Sequence, residues 1–327
     1  MLNLRLFYKK MNIIEKYNKL KVDWNNFKSN PDNKKIRIKD AAEILSTNEA
    51  ALLSTEIGEK TYFLKISNFD DFFIRLSKID KLMFLIRSQY VVHETTIIPS
   101  QIKCLNNKLI LNNTPNYTLI DYDIGSFEYV FYDQKKHSGR TLKSFQFFNQ
   151  FGTAVLKVYL RGKKDLKFNQ IADMYNVNYS YELQREISSK PTIRKFSDFY
   201  YSEYGINNNF VKKIDYEKNF LRKLLELLTD SKIPIRIHAF GENIFQQFSG
   251  KVKKLIDFGP WINIMDKNFN LHVLENKIIK STLSQLISNE NELWTISFID
   301  INNYKVLEFG PIEGFEDKFK ILINKLR

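Results

Sequence analysis

Imidazole and thiol groups, which bind metal ions and transfer protons near neutral pH, are rare in this sequence. They occur at His93, His137, His238, His272 and Cys104. A single cysteine excludes an intramolecular disulfide and a zinc site built on several thiolates, and it suits a reducing compartment. Any site that uses imidazole must therefore draw on the four histidines.

Two of these histidines allow both a structural and a ligand role. His93 follows two valines in a predicted strand, where an isolated histidine is more often a structural residue than a ligand. His272 lies in the sequence near Asn263, Asn270 and Trp261, which favours a hydrogen-bonded structural role. The ligand role stays open for both.

The rest of the sequence lacks the patterns of common catalytic sites. It has no Gly-rich phosphate loop, no zinc-ligand spacing, no nucleophile elbow and no convincing carboxylate pair. His137 is expected in an exposed Lys-Lys-His-Ser-Gly-Arg turn, and His238 is expected in an apolar strand, more often as a structural residue than as a ligand. Hydrolytic and phosphate chemistry are therefore not indicated.

Composition bounds the class of protein and its partners. The chain has 327 residues and is 43% hydrophobic, which suffices for two domains with sizeable cores. The net charge of +13 permits an acidic partner, but the aromatic residues fall mostly at core-alternating positions, so nucleic acid is not the expected partner. No apolar run reaches the roughly 18 residues that cross a bilayer, and Arg5 interrupts a short apolar stretch. We expect no membrane span, no signal peptide and a cytoplasmic location.

Periodicity predicts helices followed by a large antiparallel sheet, twice along the chain. In the first half, helical spacing runs through Ile13–Phe27 and recurs in shorter segments, and alternation dominates from Leu82 to Leu160. In the second half, several helices, one of them predicted at 208–214, precede strands from Ile233 to Phe309. Short turn signals separate the strands, which favours hairpins over crossover units.

This repeated order predicts an α+β fold that arose by tandem duplication. The first repeat is expected to span residues 13–175 and the second residues 190–327, with a polar linker between them. Residues 1–12 precede the first helical pattern and are expected to be disordered.

Four stretches resemble one bacterial family. The most informative is Gly259–Val273, which reads Gly-Pro-Trp-Ile-Asn-Ile-Met-Asp-Lys-Asn-Phe-Asn-Leu-His-Val, and the others lie in 22–53, 86–94 and 144–159. They resemble the HemS/ChuS/HmuS-type haem-utilisation proteins, in which the first stretch reads roughly G-P-W-L-N-V-L-D-x-x-F-N-L-H-L. The resemblance implies tandem halves, two large sheets stacked back to back with helices at the edges, and haem as cofactor.

The residues that face the iron in this family are replaced here. The family's axial histidine lies in a D-V-H-x-F-F pattern, and the corresponding slot within Arg194–Asp198 contains no histidine. The family's distal arginine, in an L-D-L-R pattern, corresponds to Asp121, and a carboxylate cannot act as a cationic donor. We therefore expect haem binding and transfer, and not cleavage of the ring.

Candidates to hold haem in place of these residues are His93, His272, Tyr200, Tyr201, Arg87 and Lys195. Either tyrosine could supply a tyrosinate paired with Lys195, with haem between the Arg194–Tyr204 helix and the second sheet. The alternative is that these aromatic residues form the buried stripe of an amphipathic helix. His93 matches the family's V-H-E position, and Arg87 matches the arginine ahead of it.

The resemblance implies a cytoplasmic haem-binding and haem-trafficking protein that acts in haem-iron utilisation. Its implied partners are haem and the protein that receives or delivers it, a haem oxygenase or an importer component. Two alternatives stay open: a scaffold or ligand-binding module that binds no haem, and a haem oxygenase-like enzyme with a relocated axial ligand.

Overall fold

Helices and two antiparallel sheets make up the computed structural model of the chain. It describes residues 2–58, 60–99, 102–105, 108–113, 116–122, 127–137, 139–177, 210–216, 219–242, 244–288 and 291–326. The α-helices of these residues are α1 (Leu2–Ser29), α2 (Ile38–Ile44), α3 (Glu49–Ser54), α4 (Phe69–Leu76), α5 (Asp165–Tyr175), α6 (Phe220–Ser231) and α7 (Glu316–Asn324). No helix in this part of the chain combines the length and the apolar character that crossing a bilayer requires.

The strands form one sheet of ten strands and one of nine. Those of the first half are β1 (Thr61–Leu64), β2 (Leu82–Arg87), β3 (Val91–Ile97), β4 (Ile102–Leu105), β5 (Lys108–Asn113), β6 (Asn116–Tyr122), β7 (Tyr129–His137), β8 (Arg140–Phe148), β9 (Ala154–Leu160) and β10 (Asn176–Val177). Those of the second half are β11 (Phe210–Tyr216), β12 (Ile235–Gly241), β13 (Ile244–Gly250), β14 (Leu255–Phe258), β15 (Trp261–Met265), β16 (Phe269–Leu274), β17 (Ile278–Ser288), β18 (Asn291–Asp300) and β19 (Lys305–Pro311).

Two compact units divide the chain differently from the predicted sequence repeats. The first unit comprises 1–69, 124–160 and 165–192, and the second comprises 70–123, 161–164 and 193–327. Strands β2–β6 of the first half thus group with the second half, and the repeat limits 13–175 and 190–327 stay a prediction. Helix α1 begins at Leu2, so residues 2–12, expected to be disordered, continue the helix. Extension is easy because each added residue gains a hydrogen bond once a first turn exists.

In the first unit, a glycine turn fixes the start of helix α3. The Asn48 side chain accepts a hydrogen bond from the Ala51 amide at 2.9 Å and so caps the helix. The Asn48 side chain packs against Gly152. The φ of Gly152 is +72°, in the left-handed region, and a Cβ on this residue would collide with the Asn48 amide. The Gly152 carbonyl also accepts a bond from the Ala50 amide at 3.1 Å. Glycine is therefore required at this position.

The sheet of the first unit has the strand order β10-β1-β7-β8-β9. Its residues Phe131 and Phe148 pack against Leu53 of α3 in one buried cluster. Beside this cluster, Lys157 Nζ lies 3.4 Å from Glu49 Oε2, and both side chains are less than a tenth exposed. The ion pair ties α3 to the strand on which it packs.

In the second unit, two sheets face each other. One has the order β2-β3-β16-β15-β14, and the other has the order β11-β17-β18-β19-β12-β13-β6-β5-β4. Phe248 of β13 stacks on Phe269 of β16 with ring centroids 3.8 Å apart, and Gln246 donates to Thr95 of β3 at 2.8 Å. The stacked-sheet α+β fold expected from the sequence is thus confirmed.

The strand order shows the duplication, and it shows an exchange between the halves. Strands β4–β6 of the first half pair with β13 of the second, and β14–β16 of the second half pair with β3 of the first. The two hairpins β2–β3 and β12–β13 stand at equivalent places in the strand orders of their sheets. Each half therefore contributes three strands to the sheet of the other.

Residues 210–216 form strand β11, although the spacing predicted a helix at 208–214. This prediction was wrong. Strand β11 pairs along its length with β17 at the edge of the nine-stranded sheet. Sheet pairing outweighs local spacing in such short segments, because strand preference reflects packing on neighbours more than intrinsic backbone preference.

Candidate functional site

His93 and His272 lie on neighbouring strands and face opposite sides of the sheet. His93 of β3 is paired in register with Leu271 of β16, and His272 is paired with Val92. Paired residues share a face, and successive residues of a strand alternate between faces. One haem therefore cannot contact both histidines.

His93 lies between the two sheets of the second unit. It is fully buried, its ring centroid is 5.0 Å from that of Phe269, and neither imidazole nitrogen has a hydrogen-bond partner among the described residues. Burial lowers the pKa of His93 to about 3, the proximity of His238 contributes in the same direction, and Gln246 opposes the shift. His93 is a neutral interior residue.

His272 lies on the other face of the sheet and is partly exposed. Its Nδ1 is 2.7 Å from the Asn263 Oδ1 atom. The amide group of Asn263 cannot be turned round, because its nitrogen donates to the carbonyl oxygens of Ile256 at 3.0 Å and Trp261 at 3.1 Å. Oδ1 is an acceptor, so Nδ1 must carry the proton, which leaves a lone pair on Nε2.

The charge state of His272 follows from its surroundings. Burial lowers its pKa, and the nearby Glu94 carboxylate opposes the shift. Glu94 itself accepts a hydrogen bond from Asn270 at 3.1 Å on the same face. His272 is therefore a neutral imidazole, oriented by a fixed amide, in a partly exposed polar environment.

Arg87 occupies the same face and the same row as His272. Arg87 of β2 is paired with Val92 of β3, and Val92 is paired with His272 of β16. Because neighbouring strands lie about 4.8 Å apart, the Cα atoms of Arg87 and His272 are about 10 Å from each other. Two of the six candidates are thus brought together.

Of the other candidates, His93 faces the opposite side of the sheet. Tyr200, Tyr201 and Lys195 lie outside the described residues, as does the slot of the missing axial histidine. Cys104 is not available as a thiolate, because burial raises the pKa of its thiol to about 12 and the nearby Asp70 carboxylate adds to the shift.

The register shows that Asp121 and His272 occupy equivalent positions in the two sheets. Asp121 of β6 is paired with Phe245 of β13, as His272 is paired with Val92 of β3. Asp121 is buried, at 2% exposed. A carboxylate therefore stands in one sheet at the position where the other sheet has the oriented imidazole.

A second polar cluster, on the nine-stranded sheet, escaped the sequence analysis apart from its histidine. His238 of β12 lies opposite Gln247 and Glu308, with 2.8 Å from Nε2 to Gln247 Oε1 and 3.5 Å from Nδ1 to Glu308 Oε1. Lys305 Nζ donates to Glu308 at 2.9 Å. The available signal was the placement of Arg236 and His238 at alternate positions of an otherwise apolar strand.

Charge compensation holds this cluster together. Burial alone would raise the pKa of Glu308, but the charge of Lys305 and the hydrogen bond that Lys305 donates outweigh it and hold the pKa well below its usual range. Burial lowers the pKa of His238, and the positive charge of Arg236 adds to this. The carboxylate is charged and the imidazole is not.

Among the described residues, no group of three or more His, Cys, Asp or Glu side chains is arranged to hold a metal ion. A metal ion that arrives within a larger group brings equatorial ligands with it. A single axial donor, such as a neutral imidazole, suffices in that case.

Comparisons of the sequence with known proteins point to one family. The profile of the haemin-degrading HemS/ChuX domain matches residues 46–175 and 206–283. The hemin transport protein HmuS of Yersinia pestis is 22% identical over 276 residues, covering 76% of this chain and 79% of the relative. The hemin transport protein HemS of Yersinia enterocolitica is 21% identical over 276 residues, covering 76% of this chain and 79% of the relative.

Solved structures show the same fold. The heme degrading enzyme ChuS of Escherichia coli O157:H7 superposes with a TM-score of 0.81 at 15% identity, covering 94% of this chain and 98% of that one. Holo-PhuS, a heme-binding protein from Pseudomonas aeruginosa, superposes with a TM-score of 0.79 at 16% identity, covering 95% and 99%. The duplicated two-sheet architecture is therefore shared along nearly the whole chain.

Proposed function

The chain belongs to the haemin-degrading HemS/ChuX family, and on this premise we propose that it binds haem in the cytoplasm and transfers it to another protein. The observation that carries the proposal is the contact between His272 and Asn263. It leaves a neutral imidazole with its Nε2 lone pair free on a partly exposed sheet face.

These residues fit haem iron. Histidine is a common axial ligand, and ligating histidines almost always donate their other ring nitrogen to an acceptor that fixes tautomer and orientation. Asn263 is such an acceptor for His272. When bound, haem would supply a Lewis-acidic iron that accepts the imidazole lone pair.

The same face offers a cation for haem's carboxylates. Arg87 stands in the row of His272, two strands away. Its guanidinium can bind a propionate through charge-assisted hydrogen bonds. Glu94 lies on the same face, closer to His272 than Arg87 is. Its negative charge attracts a positively charged iron centre and repels a propionate. We assign His272 to the iron and Arg87 to a propionate.

Transfer is favoured over ring cleavage by the residue at position 121. Cleavage of the ring needs an open, polar site opposite the axial ligand, with donors that stabilise bound oxygen. The resemblance aligns the donor arginine with Asp121, which is a buried acceptor on the other sheet, so the family's donor is missing and Asp121 does not face the His272 site. The expected recipient or supplier is a haem oxygenase or an importer component.

The test is a haem titration of the purified protein, followed by absorbance in the Soret region. The wild-type protein should show a saturable shift, and His272→Ala should weaken haem affinity at least about tenfold. His93→Gln is the matched control, because Gln246 is the residue at the equivalent position of β13. That variant should bind haem as the wild type does.

Other outcomes reassign the site or end the proposal. If His272→Ala binds normally and Tyr200→Phe or Tyr201→Phe does not, the ligand lies in the segment around Lys195. If the wild type shows no saturable shift, haem binding is refuted and a scaffold that binds no haem takes its place. Bleaching of the Soret band with reductant and oxygen, with release of iron, would indicate an oxygenase instead of a transfer protein.

A further inference from the structure

Arg236 presents one edge of its guanidinium group without a hydrogen-bond partner in the described part of the chain. Its Nε and Nη2 atoms are both buried, and neither is bonded, although the residue as a whole is partly exposed. These two nitrogens form the side-on fork of arginine, whose two parallel N–H groups match the two oxygens of a carboxylate. The unbonded atoms are thus the pair that one carboxylate would occupy.

The fold positions this fork over a glycine. Arg236 of β12 is paired in register with Gly310 of β19. A Cβ on Gly310 would lie 3.1 Å from Arg236 Nη2, closer than most side chains tolerate. The guanidinium group therefore lies against the strand because residue 310 has no side chain.

A second unbonded donor lies beside the fork. The Thr295 methyl group is 3.4 Å from the same Cβ position on Gly310, and the residue is fully buried. Its hydroxyl has no hydrogen-bond partner in the described residues. Burying such groups without partners is costly, so the fork and the hydroxyl, whose residues both adjoin Gly310, call for an acceptor.

Neighbouring side chains do not supply that acceptor. The Glu308 carboxylate receives hydrogen bonds from Lys305 at 2.9 Å and Ser297 at 3.2 Å, and its other oxygen faces His238. Among the described contacts, none joins it to Arg236. Among the described residues of the cluster, Lys305 offsets the charge of Glu308 and His238 is neutral, and Arg236 adds a further positive charge.

We propose that Arg236 and Thr295 form a binding site for the carboxylate of a ligand, separate from the His272 face. The carboxylate is held side-on by Nε and Nη2 of Arg236, with the Thr295 hydroxyl as a third donor. Its source is either a small carboxylic acid or a propionate of haem. The site belongs to a different sheet from His272, so its existence does not depend on the proposed iron ligand.

The first experiment uses sodium propionate as the probe and follows the thermal melting of the full-length protein. Propionate should raise the melting temperature of the wild type above that in sodium chloride at equal ionic strength. Arg236→Met should abolish this difference, and Arg236→Lys should abolish most of it, because lysine keeps the charge and loses the fork. Arg37→Met is the control, since Arg37 forms an exposed ion pair with Asp40.

Without ligand, Arg236→Met should melt at the wild-type temperature or higher. Methionine is tolerated at the equivalent position of the other sheet, where Met83 pairs with Thr96 as Arg236 pairs with Ser249. An arginine with a purely structural role would instead lower the melting temperature on removal. A lower melting temperature, combined with no propionate effect in the wild type, would overturn the site.

The second experiment compares haem with its dimethyl ester, which lacks both carboxylates. If a haem propionate is the ligand, haem should bind Arg236→Met about tenfold to a hundredfold more weakly than it binds the wild type, whereas the ester should bind both proteins equally. If only propionate responds to Arg236→Met, the ligand is a small acid. If neither probe distinguishes Arg236→Met from the wild type, there is no carboxylate site. A failure of haem binding in His272→Ala would place haem on the other sheet and leave a small acid as the ligand of Arg236.

Discussion

Lys157 and Glu308 occupy equivalent positions in the two halves and carry opposite charges. Lys157 of β9 is paired with Gln146, and Glu308 of β19 is paired with Ser297. The pairing register shifts one residue further along the partner strand in both hairpins, after Phe147 in the first and after Phe298 in the second. Each buried charge has its own partner, Glu49 at 3.4 Å or Lys305 at 2.9 Å. The duplicated framework thus accepts either sign of charge when a counter-charge is supplied locally.

Replacing Lys157 by methionine should lower the free energy of unfolding by about 3–5 kcal/mol. The change removes the ion pair and leaves the Glu49 carboxylate buried. The double variant Lys157→Met/Glu49→Gln should regain most of this loss, because it removes both charges. Urea unfolding measures all three proteins. A single variant as stable as the wild type would show that the ion pair contributes nothing.

Acidification should destabilise the protein through His93. The pKa of this residue is about 3 in the folded state, against an ordinary value of 6.5, so the unfolded chain binds the extra proton. The stability contribution is complete above pH 6.5 and is lost as the pH falls towards 3. Over this pH range the wild type should lose on the order of 4 kcal/mol of its free energy of unfolding through His93, and His93→Gln should not show this loss.

The measurement is urea unfolding of the wild type and His93→Gln at several pH values between 7 and 4. The two curves of stability against pH should diverge as the pH falls, with the variant less sensitive. Parallel curves would mean that His93 takes up no proton on unfolding in this range.

Gly152→Ala should destabilise the protein more than Gly139→Ala. Both glycines have left-handed φ values, +72° and +77°, so both substitutions carry a backbone cost of about 1 kcal/mol. A Cβ at 152 also collides with Asn48, whereas nothing lies within 4 Å of one at 139. Chemical unfolding of the two variants should differ by about 1–3 kcal/mol. Equal losses of stability in the two variants would show that the Asn48 side chain can move away from residue 152 without destabilising the protein.

Asn263→Leu should weaken haem binding about 10–100-fold, since the His272 imidazole loses the acceptor that fixes its tautomer. Asn263→Asp keeps an acceptor at this position and should retain most of the affinity. Haem titration of both variants, with circular dichroism to confirm folding, separates loss of orientation from loss of structure. Equal affinities of the leucine and aspartate variants would remove Asn263 from the site.

Local patterns predicted much of the fold. The helical spacing through Ile13–Phe27 corresponds to part of α1, and the alternation from Leu82 to Leu160 corresponds to strands β2–β9. These features depend on residues close in sequence, so composition and spacing report on them. The exchange of β4–β6 and β14–β16 was not predicted, because pairing of distant strands leaves no local signal.

The candidate site was predicted in part for the same reason. The proximity of His272 and Asn263 could be anticipated from a hairpin, since β15 and β16 are consecutive. The opposite facing of His93 and His272 follows only from the register between β3 and β16. The fork of Arg236 depends on Gly310 and Thr295, which come from two other strands.

The exchange of strands also sets an order of events during synthesis. Strand β3 emerges early, but its partner β16 ends at Leu274, so one edge of β3 stays unpaired until most of the chain has left the ribosome. An unpaired edge is a template for pairing with other chains. Nascent chains of this protein should therefore depend on protection by chaperones, and either half expressed alone should aggregate.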